Sequence, residues 1–216
     1  MVGKKVIFVC GSDDYGTPIL IAAEKAGKPP EEYIQKWWEV QERDFKSVNV
    51  DFDLYYHTHS KENRELAQHF FLELWKKGYI YEKEIEQFYC EKDKKTLPDR
   101  YVIGTCPFCG AENQYGDGCE VCGRTYEPTQ LLNPRCAICN NPPVLKKTLH
   151  YFFKLSAFSS KLKKWIEENK NLQKDVKKYV LKWTEEGLKD WDITRDISWG
   201  VPIPLEKGKG KVLYGW

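Results

Sequence analysis

The sequence contains no run of about 18 apolar residues, so it offers no candidate membrane span. It also lacks a signal peptide. The one N-terminal apolar stretch, VIFVC, is five residues long, follows Lys4 and Lys5, and has no cleavage site behind it. Together these absences predict a cytoplasmic protein with no membrane contact. A charge bias is missing as well, with 34 Lys and Arg against 32 Asp and Glu for a formal net charge of +2. That balance neither demands nor excludes a nucleic-acid partner. Any RNA contact would have to come from local patches such as KLKKW (161–165) or KDVKKYVLKW (174–183), and the simplest reading of both is a solvated helix face. What the chain does hold is eight Trp, thirteen Tyr and ten Phe within 216 residues, enough to bury a real core as one large domain or two small ones.

The N-terminal third reads as an α/β unit. KKVIFVC (4–10) predicts a buried strand, GSDDYGTP the turn after it, and 17–25 a helix. A second helix starts at Pro29-Pro30 with Ile34, Trp37, Trp38 and Phe45 on one stripe, and DFDLYY (51–56) predicts another strand. Strand, helices and strand make a crossover, the connection that parallel strands need. Ser60 is a candidate N-cap for a helix carrying Leu66, Phe70, Leu74, Phe71 and Trp75, which Gly78 closes. From Tyr79 to about His150 helical periodicity vanishes and Gly, Pro, Cys and β-formers take over, predicting a module of short strands and metal-stapled turns. Two helices are expected after it, one burying Leu162, Trp165 and Ile166, the other Leu172, Val176, Val180 and Trp183 before Gly187. Pro202 and Pro204 make 192–204 a loop, and KVLYGW (211–216) begins a strand. The cysteine pairs are the one internal repeat.

Those pairs carry the clearest chemistry. Cys106, Cys109, Cys119 and Cys122 form C-x2-C-x9-C-x2-C, in which each tight turn aims two sulfurs at one point and the intervening loop lets four converge. In a reducing compartment this spacing predicts a structural zinc, with tetrahedral iron in a rubredoxin-like carrier as the other metal that four thiolates suit. Cys136 and Cys139 form a third pair that needs partners. Cys90 and Asp93 stand at the same spacing, and a carboxylate can ligate zinc, so a second site of Cys90, Asp93, Cys136 and Cys139 would enclose the first. His150 is the rival fourth ligand, and an empty second site is the remaining alternative. Two zincs on these ligands would bring the net charge to about −1, and closed sites of this kind staple a small module rather than catalyse. Cys10 reads as a core residue.

The segments VIFVCGSDDYGTPI, LPDRYVIGTCPFCGAENQYGDGCEVCG, HYFFKL, DITRDISWG and KVLYGW occur in the order found in methionyl-tRNA synthetases, and the chain resembles that class I family along its whole length. The resemblance implies a partial Rossmann-type parallel sheet interrupted by a zinc-knuckle connective domain of short strands followed by helices. Its boundaries would be 1–78 for the N-terminal part of the Rossmann domain and 79–198 for the insertion. Within the insertion the knuckles would span 87–150 and two helices about 156–187, and 199–216 would return to the Rossmann domain. The family's activity is activation of methionine with ATP and Mg and its transfer to the acceptor end of tRNA(Met). By the same resemblance Asp13 meets the methionine ammonium, Trp216 lines the side-chain pocket and Arg195 lies near the active site, although Asp13 also has a plain reading as a helix cap. The departures are equally specific. None of the four histidines (57, 59, 69 and 150) forms a HIGH motif, KMSKS is absent, Tyr15 replaces a usual histidine, and Gly215 a usual valine. The expectation is a fragment, inactive alone, whose remainder lies in the same or a partner chain. A free-standing zinc-ribbon RNA-binding protein is the alternative.

Overall fold

The structure is a computed structural model that describes Gly3 and residues 5–214. β1 (Val9–Ser12) is joined through α1 (Thr17–Ala26) and α2 (Pro30–Ser47) to β2 (Leu54–His57), and the two strands pair in parallel from Val9 opposite Leu54 to Ser12 opposite His57. The crossover is as the sequence implied, with prolines opening both helices and Gly27 in the left-handed region (φ 64°) ending the first. One expectation fails here. The apolar run is not a buried strand: Val6, Ile7, Phe8 and Val9 are 59%, 70%, 49% and 57% exposed, and strand pairing begins only at Val9. Among the described residues this sheet has two strands, so no further strand flanks β1.

α3 (Lys61–Lys76) is capped by Ser60, whose Oγ accepts from Asn63 N at 3.2 Å. It buries Phe71, with Leu74 and Trp75 beside it, while Leu66 and Phe70 of the expected stripe face outward. β3 (Ile80–Cys90) then leads into the cysteine-bearing region, β4 (Lys95–Thr96) folds back on it, and β5 (Val102–Thr105), β6 (Gln114–Tyr115) and β7 (Leu132–Cys136) form a separate sheet in the order β6-β5-β7. β8 (Val144–Phe153) returns antiparallel along β3 from Tyr89 opposite Val144 to Ile80 opposite Phe153. These two arms, 11 and 10 residues long, correct the expectation of short strands throughout. Runs such as EKEIEQ and LKKT hide the alternation because both faces of the outer ladder are half wet.

α4 (Ser159–Glu168) and α5 (Lys174–Glu186) follow as a helical pair. Ile166 is buried as expected, but Trp165, Val176 and Trp183 are 56%, 44% and 51% exposed, because within the described residues each helix packs mainly on the other. β9 (Trp191–Asp192) joins the edge of β8, and β10 (Thr194–Arg195) pairs with β11 (Val212–Leu213), so the expected loop after residue 192 contains short strands. The core has two parts. One joins Leu20 and Ile34 to Leu97, Tyr101 and Val102 at the base of the cysteine turns, with Trp199 between; the other gathers Phe71, Ile80, Tyr151 and Ile203. Among the described residues no helix is long and apolar enough to cross a membrane.

Candidate functional site

Four turns of one design surround the metal-ligand candidates. At Cys106, Cys119 and Cys136 the cysteine carbonyl accepts an N–H from the residue four positions on, Gly110 at 3.1 Å, Gly123 at 2.9 Å and Asn140 at 2.9 Å. Each of those residues has positive φ (75°, 70° and 59°), which glycine adopts freely and asparagine tolerates. The first sulfur of each turn accepts a backbone N–H from inside it, from Phe108, Cys122 and Ile138, all at 3.4 Å. The Cys90 turn repeats the pattern with a carboxylate in the second place: Asp93 N donates to Cys90 Sγ at 3.3 Å, and Lys94 takes the left-handed position with φ 51°.

The turns converge in two sets of four. The ligand atoms of Cys106, Cys109, Cys119 and Cys122 lie within 4.8 Å of one another, as do those of Cys90, Asp93, Cys136 and Cys139. A tetrahedral zinc with four sulfurs has ligand–ligand edges of about 3.8 Å. The Cys109–Cys119 and Cys106–Cys122 separations are 3.6 and 3.9 Å, so the first set fits that ion. In the second set Cys90 and Cys139 sulfurs are 3.4 Å apart and Asp93 Oδ2 lies 3.3 Å from Cys90 and 3.0 Å from Cys136, the shorter edges an oxygen donor brings. Both sets could hold zinc. Burial and the Asp93 carboxylate push the Cys136 thiol up to about 12, so its ionisation near neutrality calls for a cation. His150 is not among these ligands, since both its ring nitrogens face carboxylates elsewhere.

A cleft of about 660 Å³ opens beside the parallel strands. Asp13, from the turn after β1, and Arg195, from β10, both line it, together with Tyr15, Asn63, Trp199 and Tyr214. Asp13 is exposed and does not cap α1, whose N-cap Gly16 has no side-chain bond; among the described residues its Oδ1 accepts from Tyr15 N alone, at 3.4 Å. Arg195 is positioned firmly. Its Nε donates to Asp99 Oδ2 at 3.3 Å, its Nη1 to Thr194 O at 2.8 Å, and its guanidinium lies 3.9 Å from the Tyr214 ring centroid. Trp216 lies outside the described residues.

Sequence reasoning missed the residue that builds the cleft wall. Asp14 is 2% exposed, with Oδ1 accepting from Ser12 Oγ and Trp38 Nε1, both at 2.7 Å, and Oδ2 from His59 N at 2.9 Å. Its carbonyl accepts from Trp199 Nε1 at 2.6 Å, which carries Trp199 across from the far end of the chain. Trp199 then stacks on His59, whose Nδ1 lies 3.1 Å from the Tyr15 hydroxyl. Burial raises the Tyr15 phenol above its ordinary 10, so it stays protonated at neutral pH. The adjacent Asp13-Asp14 pair was the available signal, one carboxylate facing each way.

A family model described as "tRNA synthetases class I (M)" matches residues 1–216. The chain belongs to that family of aminoacyl-tRNA synthetases. Among the relatives of this synthetase-family chain are the methionine–tRNA ligase of Methanopyrus kandleri, 48% identical over 219 residues, and that of Methanocaldococcus jannaschii, 51% identical over 214. The matches cover 100% and 99% of the chain but 33% and 32% of those proteins, so it spans about a third of their length. The fold is shared with Mycobacterium tuberculosis methionyl-tRNA synthetase bound by methionyl-adenylate, at a TM-score of 0.67 and 21% identity over 97% of the chain and 37% of that one. The synthetase match does not favour a free-standing zinc-ribbon RNA binder.

Proposed function

We propose that this chain is a section of a methionyl-tRNA synthetase, combining part of the Rossmann catalytic domain with the zinc-bearing connective insertion. Residues 1–78 and 199–216 supply the catalytic part and 79–198 the insertion. Asp13 pairs with the ammonium of methionine, Arg195 faces it across the cleft and Trp216 contributes an indole to the thioether pocket. Zinc, bound by Cys106, Cys109, Cys119 and Cys122 and by Cys90, Asp93, Cys136 and Cys139, supplies cross-links that stand in for a core too small to fold the module. The chain's own contribution is binding and orientation: Asp14 fixes the loop bearing Asp13, and Asp99 and Tyr214 hold the Arg195 guanidinium. ATP and Mg, and the acceptor end of tRNA(Met), engage the full-length enzyme, whose remainder lies in the same or a partner chain.

The observation that carries this reading is that Asp13 and Arg195, from opposite ends of the chain, line one cleft. The test is methionine-dependent pyrophosphate exchange by the purified chain, with methionine binding followed by calorimetry. Expected is no exchange, together with weak methionine binding that Asp13→Ala abolishes. Exchange by the chain alone would overturn the fragment reading, and binding indifferent to Asp13→Ala would overturn the cleft assignment.

A further inference from the structure

His150, in β8, has none of its surface exposed, and both of its ring nitrogens meet carboxylates. Nδ1 lies 2.7 Å from Asp192 Oδ2 and Nε2 3.2 Å from Asp196 Oδ2. A neutral imidazole carries one N–H, so it could donate to one of these and would turn a lone pair toward the other. Only the imidazolium donates to both.

The neighbouring charges make the same demand. Lys211 Nζ bonds Asp196 Oδ1, and also Thr148 Oγ1 at 2.7 Å. Arg195 is held by Asp99, and its Nη1 stands 3.8 Å from Asp192 Oδ2, beyond a direct hydrogen bond. Asp192 Oδ1 is taken by Thr194 N and Oγ1, both at 3.1 Å. Across the ladder from His150 stands Lys83, exposed and lying over the Phe152 ring. Three largely buried carboxylates, Asp99, Asp192 and Asp196, therefore face two permanent buried cations, Lys211 and Arg195. One further cation would bring this cluster to neutrality, and His150, bonded to two of the three carboxylates, is the group in place to supply it.

We infer that His150 is an imidazolium lock and the positioning residue for Arg195. By occupying Asp192 Oδ2, it keeps that carboxylate from drawing the guanidinium off Asp99 and Tyr214 and out of the cleft. Burial of His150 opposes its charge, yet the bonds to Asp192 and Asp196 prevail and hold its pKa above the ordinary value of 6.5. When the proton leaves, from whichever ring nitrogen, the positive charge opposing Asp192 is gone, and the cation standing nearest that carboxylate is Arg195. The guanidinium then closes the 3.8 Å gap. The importance of Arg195 for a ligand rests on the reading in the preceding section; the lock itself does not.

The test is nitrogen NMR on the metal-loaded 216-residue chain labelled at histidine and arginine, so it needs no substrate and no turnover. At neutral pH both His150 ring nitrogens should resonate as protonated, and the Arg195 Nε–H signal should be protected from exchange. As pH rises the His150 and Arg195 signals should shift along one titration curve. His150→Gln, which fills the site without charge, should speed Arg195 Nε–H exchange about tenfold at constant pH and abolish that curve. Asp192→Asn should leave His150 protonated through Asp196 while uncoupling Arg195 from it. A neutral His150 at neutral pH, or an Arg195 signal that ignores the His150 titration in the wild-type chain, would overturn the proposal even if His150→Gln fails to fold. Failure of methionine to bind would count against the cleft reading and leave the lock standing.

Discussion

Adjacent aspartates do opposite jobs in this chain, and the difference lies in where the turn after β1 points them. Asp14 faces inward and gathers three donors from Ser12, Trp38 and His59. Its removal takes the partner from Trp38 Nε1 and His59 N, both half-buried, and leaves Ser12 Oγ only His57 Nδ1 at 3.0 Å. Asp14→Ala should therefore cost roughly 2–4 kcal/mol in urea unfolding, whereas Asp13→Ala, on an exposed carboxylate with one long contact, should change stability by less than about 0.5 kcal/mol. Equal losses from the two would contradict this division. The sequence showed two acids in a row after a strand, and the resemblance chose Asp13 for a role; nothing local said that Asp14 was the one to be buried. That assignment depends on Trp38, His59 and Trp199, which arrive from three other elements.

Among elements, the cysteine turns were the most legible, because their geometry is set within five residues. C-x-x-C-G specifies its own turn, and Cys90-x-x-Asp93 could be matched to it by spacing alone. The helical pair α4 and α5 was the least legible. Its apolar stripe was read as core, yet Trp165 and Trp183 are mostly exposed while Ile166 is 6% exposed. A periodic stripe says which face is apolar and leaves open what lies against it. The same holds for the Val6 to Val9 run, which reads as buried only if other strands flank it. In this chain Ile166→Ala should cost about 2–4 kcal/mol by thermal or urea unfolding, and Trp183→Gln should be within about 0.5 kcal/mol of neutral. A large loss at Trp183 would mean that the stripe is covered in solution.

At the scale of the molecule, the cysteine turns at the ends of the long β3–β8 arms share a core with the crossover helices through Leu20 and Ile34, and the charged cluster around His150 adds a second tie. That tie has a pH signature. A group whose pKa is raised on folding stabilises fully below its unfolded value and loses that contribution as pH climbs through the folded one. The stability difference between the wild-type chain and His150→Gln should thus be largest near about pH 6 and shrink toward alkaline pH. Asp196 works in the other direction. Although burial opposes its charge, His150, Lys211 and Thr148 hold its carboxyl near about 2, so its contribution is present above the ordinary value of 3.8 and fades only as acid carries the solution toward 2. A difference between wild type and His150→Gln that grew with pH would reverse the sign of this account.

The central claim is that four turns of one design close two metal sites, the outer one through a carboxylate. Metal per chain, by elemental analysis of protein purified without added metal or chelator, tests it most directly when wild type and Asp93→Ala are measured side by side. The account predicts about two zincs in the wild type and about one in the variant, with the inner four-cysteine site intact. One zinc in both proteins would contradict it, leaving Cys136 and Cys139 as a turn without a metal.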